Sequence, residues 1–295
     1  MLSHQLNCLV LAFLLFPFFI NAQDYVLRTF KDTRIINTQA VDVLQKRKLD
    51  IRIGHRFGDL AGDSGGWPSF YGLENAADVL IGADYGLTNR ITIGTYRSKG
   101  GSSLSQLVTG LAKVRILKQR MQSPSFFTVT AFGTLTASTM QKSDNPEAIN
   151  FFEKQSHRFS YTVQLLIAKK FSERFSLQLS PGLTHRNIAP FGDMNDIYTL
   201  GVATRIQLSK VVGFIVDATV PLNGERNPFT KSEDSEFQFP LGVGFEFDTG
   251  GHVFQVNLTN ARGMIESDYI PNTTTNWLEG EFRLGFTISR LFNIR

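Results

Sequence analysis

Beyond Lys48 the chain alternates between apolar and polar or small side chains over long stretches. In one stretch Phe237, Phe239, Leu241, Val243, Phe245 and Phe247 alternate with Gln238, Pro240, Gly242, Gly244 and Glu246. In another Phe175, Leu177, Leu179, Pro181 and Leu183 alternate with Ser176, Gln178, Ser180, Gly182 and Thr184. Near the end Phe282, Leu284, Phe286 and Ile288 alternate with Glu281, Arg283, Gly285 and Thr287. Successive side chains of a strand point to opposite faces, so a period of two predicts β-strands with one apolar and one polar face. Pro181 and Pro240 lie within such runs and predict local bulges, because proline has no N–H to give to a ladder.

Strand length decides the class. The pattern predicts strands at 48–58, 77–86, 90–98, 107–118, 125–138, 157–171, 174–186, 197–209, 211–221, 236–247, 251–260 and 278–292. Soluble strands run about 5 or 6 residues, whereas a tilted strand crossing a bilayer needs about 9 to 11. These fit the second case. Short connections at 87–89, 119–124, 172–173, 210 and 248–250 alternate with longer ones at 59–76, 99–106, 139–156, 187–196, 222–235 and 261–277. An even strand number with short turns on one side and long loops on the other describes a transmembrane barrel with periplasmic turns and outer loops. The expected fold is therefore all-β, a transmembrane antiparallel up-and-down β-barrel of about 12 strands. The apolar face meets lipid, the polar face lines the lumen, and pairing of the first strand with the last leaves no open edge.

The residues ahead of the barrel read differently. Positions 9–20 are LVLAFLLFPFFI, a run too short to span a bilayer as a helix but of the length of a signal-peptide core. Residues 1–22 are expected to be a signal peptide cut after Ala22. The chain's one cysteine, Cys8, lies inside it. Its removal would exclude disulfides, thiolate metal sites and cysteine nucleophiles from the mature protein. Residues 23–47 are too polar for lipid and are expected to form a periplasmic segment, either a plug or a partner contact; 48–295 form the barrel.

Composition changes the picture only once faces are assigned. A mean hydropathy of −0.07 suggests a soluble protein, but it averages a lipid-facing half with a water-facing half. The 26 phenylalanines and 25 glycines suit a barrel wall. Strand parity places Asp50, Arg52, Arg56, Asp84, Lys113, Arg115, Arg205, Asp217, Glu246, Glu279, Glu281 and Arg283 in the lumen. Positive and negative charges balance there, which argues against strong ion selectivity. The pI of 9.2 then reflects turns, rims and the N-terminal segment, and it does not predict a nucleic-acid partner. Barrel closure is expected to bring Arg52 and Arg56 beside Glu279, Glu281 and Arg283. Two readings are open: a salt-bridged network bracing the seam, or a polar passage for a small solute. The loop GDSGGWPSFYGLE at 62–74 carries Trp67, Phe70 and Tyr71, which either fold into the barrel mouth as a constriction or pack on neighbouring loops.

Several whole segments carry a family resemblance. These are TFKDTRIINTQAVDVL at 29–44, LDIRIGHRFG at 49–58 and YTVQLLIAKKFSERFSLQLSPGLTHRN at 161–187, with TGGHVFQVNLTNARGMIE at 249–266 and GFTISRLF at 285–292. The chain resembles a Bacteroidota outer-membrane β-barrel family, domain-of-unknown-function family 5777, over nearly all of its mature length. The resemblance implies a barrel in the outer membrane of a Gram-negative bacterium. It brings no catalytic residue, cofactor or substrate.

The residues themselves point to no catalytic, cofactor or metal site. A His and a Ser two apart on one barrel face would suggest a lipase, but the second neighbours of His55, His157, His185 and His252 include no serine. The GDSGG of 62–66 resembles a serine-protease string only by chance, because the pattern predicts no two-barrel protease fold around it. Asp193, Asp196, Glu233 and Asp234 are expected to face solvent or to bridge to lipopolysaccharide through divalent ions. The expected partners are outer-membrane lipid and lipopolysaccharide, the outer-membrane assembly machinery and an unidentified periplasmic protein. The sequence thus predicts a channel or uptake component for small polar solutes. The alternatives are a non-conducting barrel serving as anchor or docking partner and, third, a hydrolase.

Overall fold

The computed structural model describes residues 25–26, 28–120 and 127–294; the expected signal peptide lies outside them. Twelve strands follow in chain order. They are β1 (Lys48–Phe57), β2 (Ala76–Gly86), β3 (Ile91–Ser98), β4 (Leu107–Leu117), β5 (Thr128–Ser138) and β6 (Phe159–Lys170). After them come β7 (Phe175–Arg186), β8 (Asp196–Gln207), β9 (Val212–Pro221), β10 (Leu241–Asp248), β11 (His252–Thr259) and β12 (Arg283–Asn293). Each pairs antiparallel with its neighbours in sequence, and β1 pairs with β12 from Lys48↔Asn293 to Arg56↔Gly285, so the sheet is a closed barrel. Every ladder group of the wall then has a partner strand on both sides, the condition for crossing hydrocarbon.

The alternation seen in the sequence becomes an inside and an outside. On β1, Asp50, Arg52 and Arg56 are buried inward, while Ile51 and Ile53 are exposed on the outer surface. On β8, Thr199, Ala203 and Arg205 point inward while Tyr198 and Leu200 point out. Among the described residues no helix is long and apolar enough to cross a membrane; the strands do so.

Two proline-bearing runs resolve differently. Pro181 stays within β7, and the β6–β7 ladder is interrupted beside it, between Gln164↔Gly182 and Ile167↔Leu179. Pro240 instead precedes β10, so 236–240 belong to the loop and not to a strand. Residues 278–282 also leave the barrel wall. A 3-10 turn, Trp277–Glu279, ends on Gly280 at φ 79°, a left-handed conformation that suits glycine. β12 begins only at Arg283.

Candidate functional site: a lumen filled from both ends

The lumen is occupied by this chain's own residues. From the short-turn end, residues 29–45 run up inside the barrel as a narrow hairpin. Its base is closed by Asp42, whose carboxylate accepts the Thr29 and Phe30 N–H groups at 3.0 and 2.8 Å. Its tip is closed by Ile35 N–H to Thr38 O and Ala40 N–H to Thr33 O, both 2.9 Å. Phe30, Ile35, Ile36, Val41 and Leu44 are all buried, packing with wall residues such as Leu80, Leu111 and Phe132. A segment too polar for lipid thus buries its few apolar side chains inside the barrel.

From the long-loop end, the β11–β12 connection folds inward at 261–276. It carries one short helix, α1 (Glu266–Asn272), whose residues Glu266 to Pro271 are buried. Met264 and Ile265 join the plug's apolar cluster; Tyr269 and Ile270 pack with Ala261 and Ile197. The two inserts meet mid-lumen. Arg34 of the N-terminal hairpin donates to Glu266 Oε1 at 2.7 Å and also to the Met264 carbonyl. Gln39 Nε2 donates to the same Glu266 oxygen at 3.2 Å.

The charged wall residues are satisfied by these inserts more than by one another. Arg52, fully buried, forks onto Asp32 of the hairpin, with Nη1 to Oδ2 at 2.9 Å, and also reaches Asp50 at 3.2 Å. Asp217 on β9 accepts the N–H groups of Ile36, Asn37 and Thr38 at 3.2, 2.6 and 2.8 Å, a backbone nest around a carboxylate. Lys113 Nζ donates to the carbonyls of Thr33 and Ala40 at 2.7 and 2.9 Å. Arg56 donates to Asn37 and to the Ala261 and Gly263 carbonyls, so it touches both inserts. Asp84 accepts from Thr33 Oγ1 at 3.3 Å. Arg205 and Glu246 form the one wall-to-wall ion pair between different strands in the sequence-predicted set, at 2.7 Å.

Three of the predicted lumen residues sit elsewhere. Arg115 lies half-buried at the short-turn rim, bonded to the Asn89 carbonyl. Glu279 is exposed, and Glu281 accepts the Asn276 N–H at 2.7 Å; neither reaches Arg52 or Arg56. The reason is register: β1 places Arg52 opposite Ser289 and Arg56 opposite Gly285, while the 3-10 turn lifts 277–282 past the wall. Arg283 is buried and donates to the Asn260 carbonyl at 3.1 Å. The expected brace of the seam by Glu279 and Glu281 is thus replaced by Asp32, which comes from the hairpin. Trp67, Phe70 and Tyr71 do not enter the mouth. They are exposed, Phe70 and Tyr71 each meet Trp67 edge-on with ring centroids 5.9 and 6.4 Å apart, and they leave the mouth to 261–276.

Asp78 was missed from the lumen set although it shares the parity of Asp84 on β2. It is fully buried and accepts Ser98 Oγ, Gly100 N–H and Met264 N–H. At the loop end, Asp193 receives Arg186 Nη2 at 2.8 Å and both terminal nitrogens of Arg226. Arg226 in turn donates to the Pro271 carbonyl at 2.7 Å. One guanidinium therefore ties two outer loops to the inserted helix. Burial would raise the Asp193 carboxyl, but the bonds from Arg226 and Arg186 outweigh it and hold it at about 2.

The helix carries its own titrating group. Asp268 accepts the Gly101 N–H at 2.7 Å. Burial raises its carboxyl to about 6, the nearby Asp78 adds to the rise, and hydrogen bonds from Ser102, Gly101 and Asn272 oppose it. Because the seated helix favours the neutral acid, its docking strengthens as pH falls from about 6 towards the ordinary carboxylate value and is weakest, and level, above about 6. The labelling rate of a single cysteine placed in 261–276, divided at each pH by that of an exposed-loop cysteine in the same chain to cancel the thiol's own titration, should be lower at pH 5 than at pH 7.5, and Asp268→Asn should flatten that difference. Equal normalised rates at the two pH values in the parent chain would contradict the assignment.

The histidines form no catalytic array. His55 points outward and stacks on Phe286 at 5.7 Å. His185 bonds Asp196 at 2.7 Å and Asn187 at 3.0 Å, with no serine hydroxyl bonded to either ring nitrogen among the described residues. Ser64 of the GDSGG string gives its backbone N–H to Asp59 at 3.2 Å, as a turn residue. No group of three or more His, Cys, Asp or Glu side chains is placed to hold a metal ion among the described residues.

Residues 30–292 match the family model described as "Membrane bound beta barrel domain (DUF5777)". The chain belongs to this family. This member is thus a membrane-bound β-barrel with both an N-terminal and a loop insert in its lumen. No curated protein matches it in sequence. Solved structures similar in shape include the KdgM porin in complex with disordered oligogalacturonate, at TM-score 0.49 and 10% identity, covering 83% of this chain and 99% of that one. Another is outer membrane phospholipase A from Escherichia coli, at TM-score 0.44 and 10% identity, covering 85% and 92%. A third is the Salmonella typhi OmpF complex with daunomycin, at 0.36 and 9%, covering 83% and 97%. Likeness at this level is one of barrel walls and brings no activity to this chain.

Proposed function

We propose that the protein is an outer-membrane channel for small polar solutes, held shut by two inserts, with its short turns in the periplasm and its long loops outside. The observation that carries this reading is where the wall charges find their partners. Arg52, Asp217 and Lys113 are satisfied by atoms of a hairpin that continues covalently into β1 and is otherwise held by hydrogen bonds and ion pairs. A wall built only for rigidity has its charges paired strand to strand; this one holds them for a segment that can leave. Water replacing the hairpin would solvate the same groups, so opening exchanges partners and does not strand charge.

The filled lumen also favours a second reading, a non-conducting barrel that anchors or docks other proteins. Planar-bilayer recording separates the two. The full mature chain is expected to stay closed for most of the record. A variant lacking 24–44, and a full-length Arg34→Ala variant in which the inserts lose the ion pair between them, should show frequent openings. Silence from both variants, folded by heat-modifiability on gels, would leave the anchor reading standing and remove the channel.

A further inference from the structure

The lumen wall is divided lengthwise by chemistry. The charged residues that hold the inserts lie on β1, β2, β9 and β12, with Lys113 on β4, while Arg205 on β8 pairs with Glu246 on β10. On β5, β6 and β7 the inward positions between the rims carry hydroxyls, amides and apolar groups; Lys170 and Arg186, one near each rim, are the only inward charges. The hairpin covers the periplasmic half of this arc through neutral hydrogen bonds, such as Val41 N–H to Gln178 Oε1 at 2.7 Å and Thr130 Oγ1 to Val41 O at 2.7 Å.

Further up the arc several polar side chains have no hydrogen-bond partner. Both side-chain atoms of Gln164 and the hydroxyls of Thr134 and Thr199 are buried and unbonded, and each residue is more than nine-tenths buried. Thr162 and Thr184 bond only each other, at 3.0 Å. Phe132 lies directly across the β5–β6 ladder from Gln164, which sets an apolar ring beside an amide that can both donate and accept. Buried amides and hydroxyls without partners are costly, so a wall that keeps several of them together is built for something that will bond them. A charged solute would find no counter-charge here. A solute bearing many hydroxyls and an apolar ring face would find donors, acceptors and a surface for that face.

We propose that this β5–β8 arc is the solute path, and that the solute class is neutral and polyhydroxylated, of the size and chemistry of a simple sugar. The inference rests on the channel reading above and names its substrate. The inserts take their ionic ties from the charged side of the lumen, while α1 packs on β6 and β7 and the hairpin meets Thr130 and Gln178 through neutral bonds, so their departure uncovers the neutral side.

The test uses the full-length Arg34→Ala chain in proteoliposomes, with the variant lacking 24–44 as a second route to an open lumen. Osmotic swelling is measured with glucose and sucrose as neutral sugars and with gluconate as the charged counterpart; potassium chloride conductance is measured in parallel. Swelling should be faster with glucose than with gluconate. Adding Gln164→Leu with Thr134→Val should slow sugar entry by about fivefold per lost hydrogen bond while conductance changes less than about twofold. Conductance without preference for the neutral sugar, or an equal fall in sugar entry and conductance, overturns the assignment but leaves the channel reading intact. An absence of both swelling and conductance in both opened backgrounds removes the channel and this inference together.

Discussion

Arg52→Ala is expected to destabilise the folded barrel by about 3–5 kcal/mol, because it leaves carboxylates buried without their counter-charge. Asp32 and Asp50 both depend on this guanidinium, and Arg52 is fully buried. The loss should be read as a lower midpoint for heat-modifiability on gels. It should also loosen the hairpin, since Asp32 is one of its main ties to the wall. Asp32→Asn, which keeps the shape and part of the bonding, should cost less. If Arg52→Ala and the parent chain share one midpoint, the buried cluster has no role in holding the barrel.

The second large effect concerns the contact between inserts. Glu266→Ala, a change made in the β11–β12 insert, should loosen the N-terminal hairpin at the short-turn end. Arg34 would lose its carboxylate partner while remaining buried, and Gln39 would lose an acceptor. Breaking one partner of such a pair typically costs about 3–5 kcal/mol. The reporter is Thr38→Cys at the hairpin tip, clean because the sequence has no cysteine beyond Cys8. Labelling with a membrane-impermeant maleimide should accelerate at least about tenfold in the Glu266→Ala background, since about 1.4 kcal/mol already corresponds to that factor. Arg34→Ala and the Arg34→Ala, Glu266→Ala double variant should then label at similar rates, the mark of two residues acting on one contact. Additive increases would mean that the inserts move independently.

How much of this could be read from the sequence depends on whether a residue obeys the period of two. The strands could be read because the wall repeats one rule over its whole circumference, and most ends fall within two residues of expectation. Two errors share a cause. Around 236–240 and 278–282 the alternation continues in sequence while the backbone leaves the sheet, at Pro240 in one case and at the Trp277–Glu279 turn in the other. Alternation cannot report where pairing stops. On β1, β2, β4 and β9 parity points Asp50, Arg52, Arg56, Asp84, Lys113 and Asp217 to buried positions, but it misplaces Arg115, passes over Asp78 and does not give the partners. Those partners lie in 29–45 and 261–276, which have no strand period. The signal present was of another kind: Ile35, Ile36 and Val41, like Met264, Ile265, Tyr269 and Ile270, are apolar side chains in segments with no lipid-facing side, and they need cover. That cover is the lumen. The aromatic loop at 62–74 drew attention by composition alone, and its rings cover one another instead.

Asp32 has a place in the order of assembly. Besides Arg52 of β1 it lies within hydrogen-bond reach of Ser289 on β12 and Gln255 on β11, at 3.5 and 3.4 Å. The seam between β1 and β12 joins the two ends of the barrel sequence, the ladder with the greatest loop-closure cost and hence the slowest to form. One carboxylate from the N-terminal hairpin spans that seam on its inner side. Its partners come into reach together only when β1, β11 and β12 stand side by side, so seating the hairpin and shutting the seam favour each other, and the N-terminal segment serves as a clasp laid across the last ladder to close.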